Sequence, residues 1–120
     1  MSGLAHQVGL FYTAVEDLLA HVALVFDEEV PRGEHWHREL LRGAALELPG
    51  LRPAVLGADL TNELDEYRRF RHRIRHVYLP PVPDWHKMAH LVDRLADVHG
   101  ELDRQVRQFI AFLQHLAGST

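Results

Sequence analysis

Apolar residues recur at three- and four-residue steps along almost the whole chain, and the stripes they form are cut where proline and glycine fall close together. The first stripe runs from Leu4 to about Glu29 through Val8, Phe11, Val15, Leu18, Leu19, Val22, Val25 and Phe26. Pro31 and Gly33 interrupt it, and a second stripe follows through Trp36, Leu40, Leu41, Ala44, Ala45 and Leu48 until Pro49 and Gly50. Such spacing puts the apolar side chains on one face of an α-helix, and proline followed by glycine ends one. A third stripe, with Pro53 placed where a first helical turn tolerates it, passes through Val55, Leu56, Leu60, Leu64, Tyr67, Phe70, Ile74 and Val77. The Pro80-Pro81-Val82-Pro83 run stops it, because proline lacks the amide proton and clashes with the turn before it. Asp84 then stands as an N-cap for a long last stripe from Trp85 to Leu116, with Gly100 as a point of local weakness. With no β-alternation and no internal repeat, the expectation is an all-α protein: an antiparallel up-and-down four-helix bundle.

A chain of 120 residues has room for one compact domain, so residues 1–120 are read as one unit. Its 47% hydrophobic and 25% charged content is that of a globular protein, which excludes long disorder. A formal charge of −4 at pH 7 excludes a general polycation, so any affinity for nucleic acid has to come from a local basic patch. Cysteine is absent, which removes disulfides and thiolate metal sites and fits a reducing compartment, so a cytoplasmic location is expected. The N-terminal segment has no basic leader, and His6, Glu16, Asp17 and His21 interrupt its apolar residues; it is read as neither signal peptide nor membrane span.

The segment Phe70 to Pro81, "FRHRIRHVYLPP", concentrates arginine and histidine at the end of the third stripe. Arg68, Arg71 and Arg75 share a face adjoining the apolar one, and His72 and His76 form another four-residue pair. Histidine exchanges protons near neutrality, and arginine grips phosphate oxygens with two parallel bonds. Together they suit phosphodiester chemistry, in which imidazole moves a proton and guanidinium stabilises the charge that develops on phosphate. On RNA the 2′-hydroxyl is the built-in nucleophile, so no metal is needed. Arg71 and His76 are separated by roughly 140° around a regular helix and do not aim at one point. Convergence requires either a loosened helix near His76 or a two-fold dimer axis. The plainer alternative is a solvated face whose arginines pair with Glu63, Asp65 and Glu66.

The order Arg71-His72-Arg73-Ile74-Arg75-His76-Val77-Tyr78 resembles the arginine, four residues, histidine, any residue, tyrosine pattern of HepT-type toxins in the HEPN superfamily. The segment "LPPVPDWHKMAHLVDRL" is also similar to the connection and last helix of those domains, so the resemblance covers nearly the whole chain. His72 stands where the family usually has a polar residue, often asparagine. What the resemblance implies is a metal-independent, cofactor-free endoribonuclease toxin acting on RNA, with tRNA one candidate substrate. It implies a homodimer in which the Arg71 and His76 of both protomers form a composite catalytic site, supported by His72, Arg68 and Arg75. Arg71 would position the scissile phosphate and His76 would transfer the proton, leaving a 2′,3′-cyclic phosphate. It further implies a partner antitoxin, a minimal nucleotidyltransferase, that transfers AMP to Tyr78, and it allows a larger hetero-oligomer with that partner. A bulky anion two residues from His76 would occupy the phosphate site and repel RNA.

Other readings stay open. The acidic net charge also fits a HEPN interaction module that dimerises and binds a partner without cutting RNA. The His86/His90 and His72/His76 pairs and the His35-Trp36-His37 run allow a metal-binding bundle, although two histidines one turn apart without a third ligand are a weak metal signal. Trp36 and Trp85 read as packing residues or base-stacking platforms, Glu28, Glu29 and Glu34 as a solvated rim or an antitoxin docking edge. Tyr12 and Tyr67 fit the apolar stripes and receive no catalytic role.

Overall fold

The computed structural model describes residues 3–27, 29–76 and 85–118, with the backbone alone described for residues 4, 5, 75, 76 and 85. Helix α1 spans Gly3–Val22 and passes into a π-helical turn over Ala23–Asp27; α2 spans Trp36–Ala44, α3 Ala58–His76 and α4 Trp85–Gly118. The described residues contain no strand, only an isolated bridge between Leu48 and Arg52. The all-α four-helix architecture is therefore borne out. The Pro80 to Pro83 stop and the Asp84 cap lie outside the described residues. Helix α4 continues through Gly100 without a break.

The helical stripes become the core. Val8, Tyr12, Val15 and Leu19 of α1 meet Leu40, Leu41 and Ala44 of α2, and Leu60, Leu64, Tyr67 and Phe70 of α3. From α4 come Met88, Leu91, Val98, Leu102 and Phe109. Each such side chain removed from water stabilises the fold by about 1.5–3 kcal/mol as an upper estimate. The Tyr67 hydroxyl donates to the Leu91 carbonyl at 2.6 Å, which lets a polar end lie in that core. Burial, then the neighbouring Glu63 carboxylate, pushes the Tyr67 phenol up to about 12.

Three details depart from the stripes. The π turn has a wider hydrogen-bond step than an α turn, so side chains beyond Val22 leave the helical register. Val25, expected in the core face, is 67% exposed, while Phe26 packs edge-on against Phe109 with ring centroids 5.7 Å apart. Next, α2 stops at Ala44, short of Leu48. The chain instead makes a tight turn: the Leu51 amide donates to the Leu48 carbonyl at 2.9 Å, with Pro49 and Gly50 (φ 80°) between them. Proline second and left-handed glycine third are the requirements of a type II turn. Finally, α3 starts at Ala58 rather than at Pro53. The amides of Val55 and Leu56 donate to the Ala44 carbonyl at 2.9 and 3.1 Å, and both side chains are buried, so this segment closes the end of α2 instead of opening α3.

The connectivity also differs in its first link. α3 and α4 are antiparallel, since Tyr67 bonds Leu91 while the Gly57 amide donates to Gln105 Oε1 at 2.7 Å. α2, however, begins beside Glu16 and Arg71 and ends near Asp27 and Val55, so it runs with α1 rather than against it. The segment containing Pro31 and Gly33 (φ 101°) brings the chain back before α2 starts.

His6–Asp27 is long and apolar enough, by length and composition, to cross a membrane, with a hydropathy of 1.5. Its stripe nevertheless packs on three other helices, and Glu16 at its middle is 6% exposed and ion-paired within the bundle. That is the behaviour of a core helix.

Candidate functional site

Arg71 follows Phe70 on α3, and its side chain turns inward between α1 and α2. It is 4% exposed as a residue, so the expected surface row of Arg68, Arg71 and Arg75 does not form in this way. The physical reason is a carboxylate in the core stripe of α1: Glu16 lies one turn from Tyr12 and faces α3, and a buried carboxylate requires a cation. Arg71 Nη2 donates to Glu16 Oε1 at 2.7 Å, and Nη1 donates to Thr13 Oγ1 at 3.1 Å. The guanidinium carbon sits 4.7 Å from the centroid of the Tyr12 ring, a cation–π contact that adds to the pair.

A third helix completes the cluster. His37, in the first turn of α2, places Nδ1 2.5 Å from Glu16 Oε2 and 3.2 Å from Arg71 Nη2. Both contacts cannot be hydrogen bonds of one tautomer, because a carboxylate only accepts and a guanidinium only donates. The shorter contact decides: Nδ1 carries the proton and donates to Glu16, while Arg71 has the other oxygen of the same carboxylate. The His37 side chain is 33% exposed and stacked against Trp36, with ring centroids 3.6 Å apart. Tyr12 lies beneath, its hydroxyl without a hydrogen-bond partner among the described residues. Burial first, and Glu16 second, hold that phenol well above the ordinary tyrosine range.

The other sequence candidates are spread around this cluster. Arg68 Nε donates to Asp65 Oδ1 at 2.7 Å, and Arg69 pairs with the same carboxylate at 3.2 Å. Of the three acidic neighbours expected to offset the arginines, Glu63 instead forms a two-pronged pair with Arg94 of α4, at 3.0 and 3.1 Å, and Glu66 lies 3.8 Å from His90. His72 and Arg73 are exposed. The side chains of Arg75 and His76, and all of Tyr78, lie outside the described residues. The backbone of α3 is helical through His76, so a loosened helix is not what would bring His76 to Arg71. Among the described residues no group of three or more histidine, aspartate or glutamate side chains is placed to hold a metal ion.

From sequence Glu16 and Thr13 carry no site role, and His37 enters only in the His35-Trp36-His37 run as a possible metal ligand. A signal for one of them existed: a carboxylate between Tyr12 and Leu19, at a position the helical period assigns to the core, calls for a buried cation. The period of a single helix cannot say which cation from which helix answers it.

Compared with known families, residues 3–113 match the family described as HepT-like protein. Neither the curated proteins nor the solved structures contain a match.

Proposed function

The chain belongs to the HepT-like family, and from this we propose that it is the toxin of a two-component toxin–antitoxin system, a cytoplasmic endoribonuclease that needs no metal. The observation that carries the proposal is the family match over residues 3–113 together with the Arg71, His76 and Tyr78 spacing at the end of α3. In this reading the 2′-hydroxyl attacks the adjacent phosphorus, the P–O5′ bond breaks, and His76 gives a proton to the leaving oxygen. Arg71 supplies a guanidinium fixed at the site, and Arg68, His72 and Arg75 add polar and positive groups along the RNA path. A second protomer brings a second Arg71 and His76 to the site, and tRNA is the proposed substrate.

A partner nucleotidyltransferase silences the toxin by attaching AMP to Tyr78. The attached phosphate places negative charge where the RNA backbone has to lie, so the modification competes with substrate.

A second reading is favoured by one observation. Arg71 is buried and paired with Glu16, as an arginine with a purely structural task would be, which suits an interaction module that binds a partner and leaves RNA intact. Expression in a bacterial host separates the two. Under the toxin reading, the wild type arrests growth and fragments RNA, and His76→Ala does neither. Tyr78→Phe stays toxic and is no longer neutralised by the nucleotidyltransferase. Growth unaffected by well-expressed, unmodified wild type favours the interaction module.

A further inference from the structure

We propose that His37 is a catalytic residue of this site, the base that takes the 2′-hydroxyl proton, with Glu16 and Arg71 as its positioning residues; this rests on the ribonuclease reading above.

The geometry has three parts. The Nδ1 proton of His37 is fixed on Glu16 at 2.5 Å, which leaves the lone pair on Nε2, the basic nitrogen. A carboxylate that orients a histidine and stabilises the imidazolium formed during reaction is the same division of labour found in hydrolytic triads. Glu16 is held in turn by Arg71 at 2.7 Å, so the dyad cannot swing without breaking a buried ion pair. Finally, His37 is the most exposed of the three ionisable side chains, at 33%, against 8% for Glu16 and 5% for Arg71. The charged groups facing it are Glu16 from α1 and Arg71 from α3; Trp36 flanks it with an apolar ring.

His37 meets Arg71 within one protomer. Positions 71 and 76 are separated by roughly 140° around a regular helix, and the α3 backbone is helical through His76. His37 reaches Arg71 from a different helix and needs no second protomer to do so. With His76 contributed by the second protomer of the proposed dimer, the site holds two histidines with opposite tasks. The O2′–H proton passes to His37 Nε2 as the O2′–P bond forms. The P–O5′ bond breaks with its electron pair on O5′, which takes the proton of His76. The products are a 2′,3′-cyclic phosphate and a 5′-hydroxyl, and solvent resets both imidazoles.

Two measurements test this. Purified wild type and His37→Gln are compared on total tRNA across pH, with melting curves to confirm that both are folded. Loss of a general base lowers kcat by about 10²- to 10⁴-fold with KM little changed, and removes the acidic limb of the pH–rate profile. Cleavage by His37→Gln within about twofold of wild type, or the same acidic limb, overturns the role of His37 while leaving the ribonuclease reading intact. If the wild type cleaves no RNA at all, both fall together. The second measurement does not depend on activity: nitrogen NMR of the wild type should show His37 as the Nδ1–H tautomer in its neutral form. An Nε2–H tautomer contradicts the dyad outright.

Discussion

Glu16→Ala lowers the stability of the fold by about 3–5 kcal/mol, because it strands the Arg71 guanidinium in the bundle without its counter-charge. Domains of this size have about 5–15 kcal/mol in total, so the variant is expected to be partly unfolded near body temperature. The remaining neighbours do not rescue it: Thr13 offers one acceptor, and protonated His37 would be a second cation beside the first. Pair replacement separates charge from packing. Glu16→Leu combined with Arg71→Met keeps much of the volume and removes both charges, and it is expected to melt well above Glu16→Ala and close to the wild type. The same double variant should be inactive on RNA. Urea unfolding followed by circular dichroism reads the stability half of the prediction. Equal losses for the single and the double variant would mean that the pair is not electrostatically coupled. A related consequence concerns Arg71→Ala, which removes activity under the ribonuclease reading. Burial of the side chain on Glu16 means that it also costs stability.

The second large effect lies at the other end of α2. Arg52, with 2% of its side chain exposed, uses all five of its N–H donors. Nε and Nη2 hold both oxygens of Asp27 at 2.8 and 3.1 Å, and the remaining donors reach the carbonyls of Leu46, Pro53 and Gly43 at 2.9, 3.1 and 3.1 Å. One side chain thus fastens the π turn of α1, the end of α2 and the turn between α2 and α3. Arg52→Ala leaves three carbonyls and a carboxylate without these bonds and is expected to cost about 3–5 kcal/mol. Arg52→Lys keeps the charge but not the planar fork, so it recovers only part of that loss. Guanidinium unfolding of the two variants should rank them wild type, lysine, alanine. A loss below about 1 kcal/mol for the alanine variant would contradict the strut.

Arg52 also shows where sequence reading stops. The four helices were legible because their apolar residues repeat with the helical period, and Val8, Tyr12, Val15 and Leu19 or Leu60, Leu64 and Tyr67 bury as that period requires. Between Gly43 and Gly57 the apolar pattern predicts a longer α2 and an earlier α3 than the fold has. The carbonyls that end α2 are answered by a side chain from beyond the turn, and no local pattern announces a bond that reaches six or nine residues back. The direction of α2 was hidden for a similar reason: short connections favour alternation, but Pro31 and Gly33 turn the chain before α2 begins. At the site, the arginine and histidine pattern drew attention to the end of α3, and Arg71 lies in the polar cluster found there. What the pattern could not disclose was that the arginine faces inward, onto a glutamate of α1 and a histidine of α2. Those contacts depend on how three helices pack, which is a property of the fold and not of any one segment.

The central claim is that this HepT-like chain cuts RNA without a metal. The direct measurement is to incubate purified, unmodified wild type and His76→Ala with total tRNA in excess EDTA and to analyse the fragment ends. The account predicts fragments ending in 2′,3′-cyclic phosphate from the wild type and intact tRNA from His76→Ala. Intact tRNA with the wild type, or equal cleavage by both proteins, would contradict it.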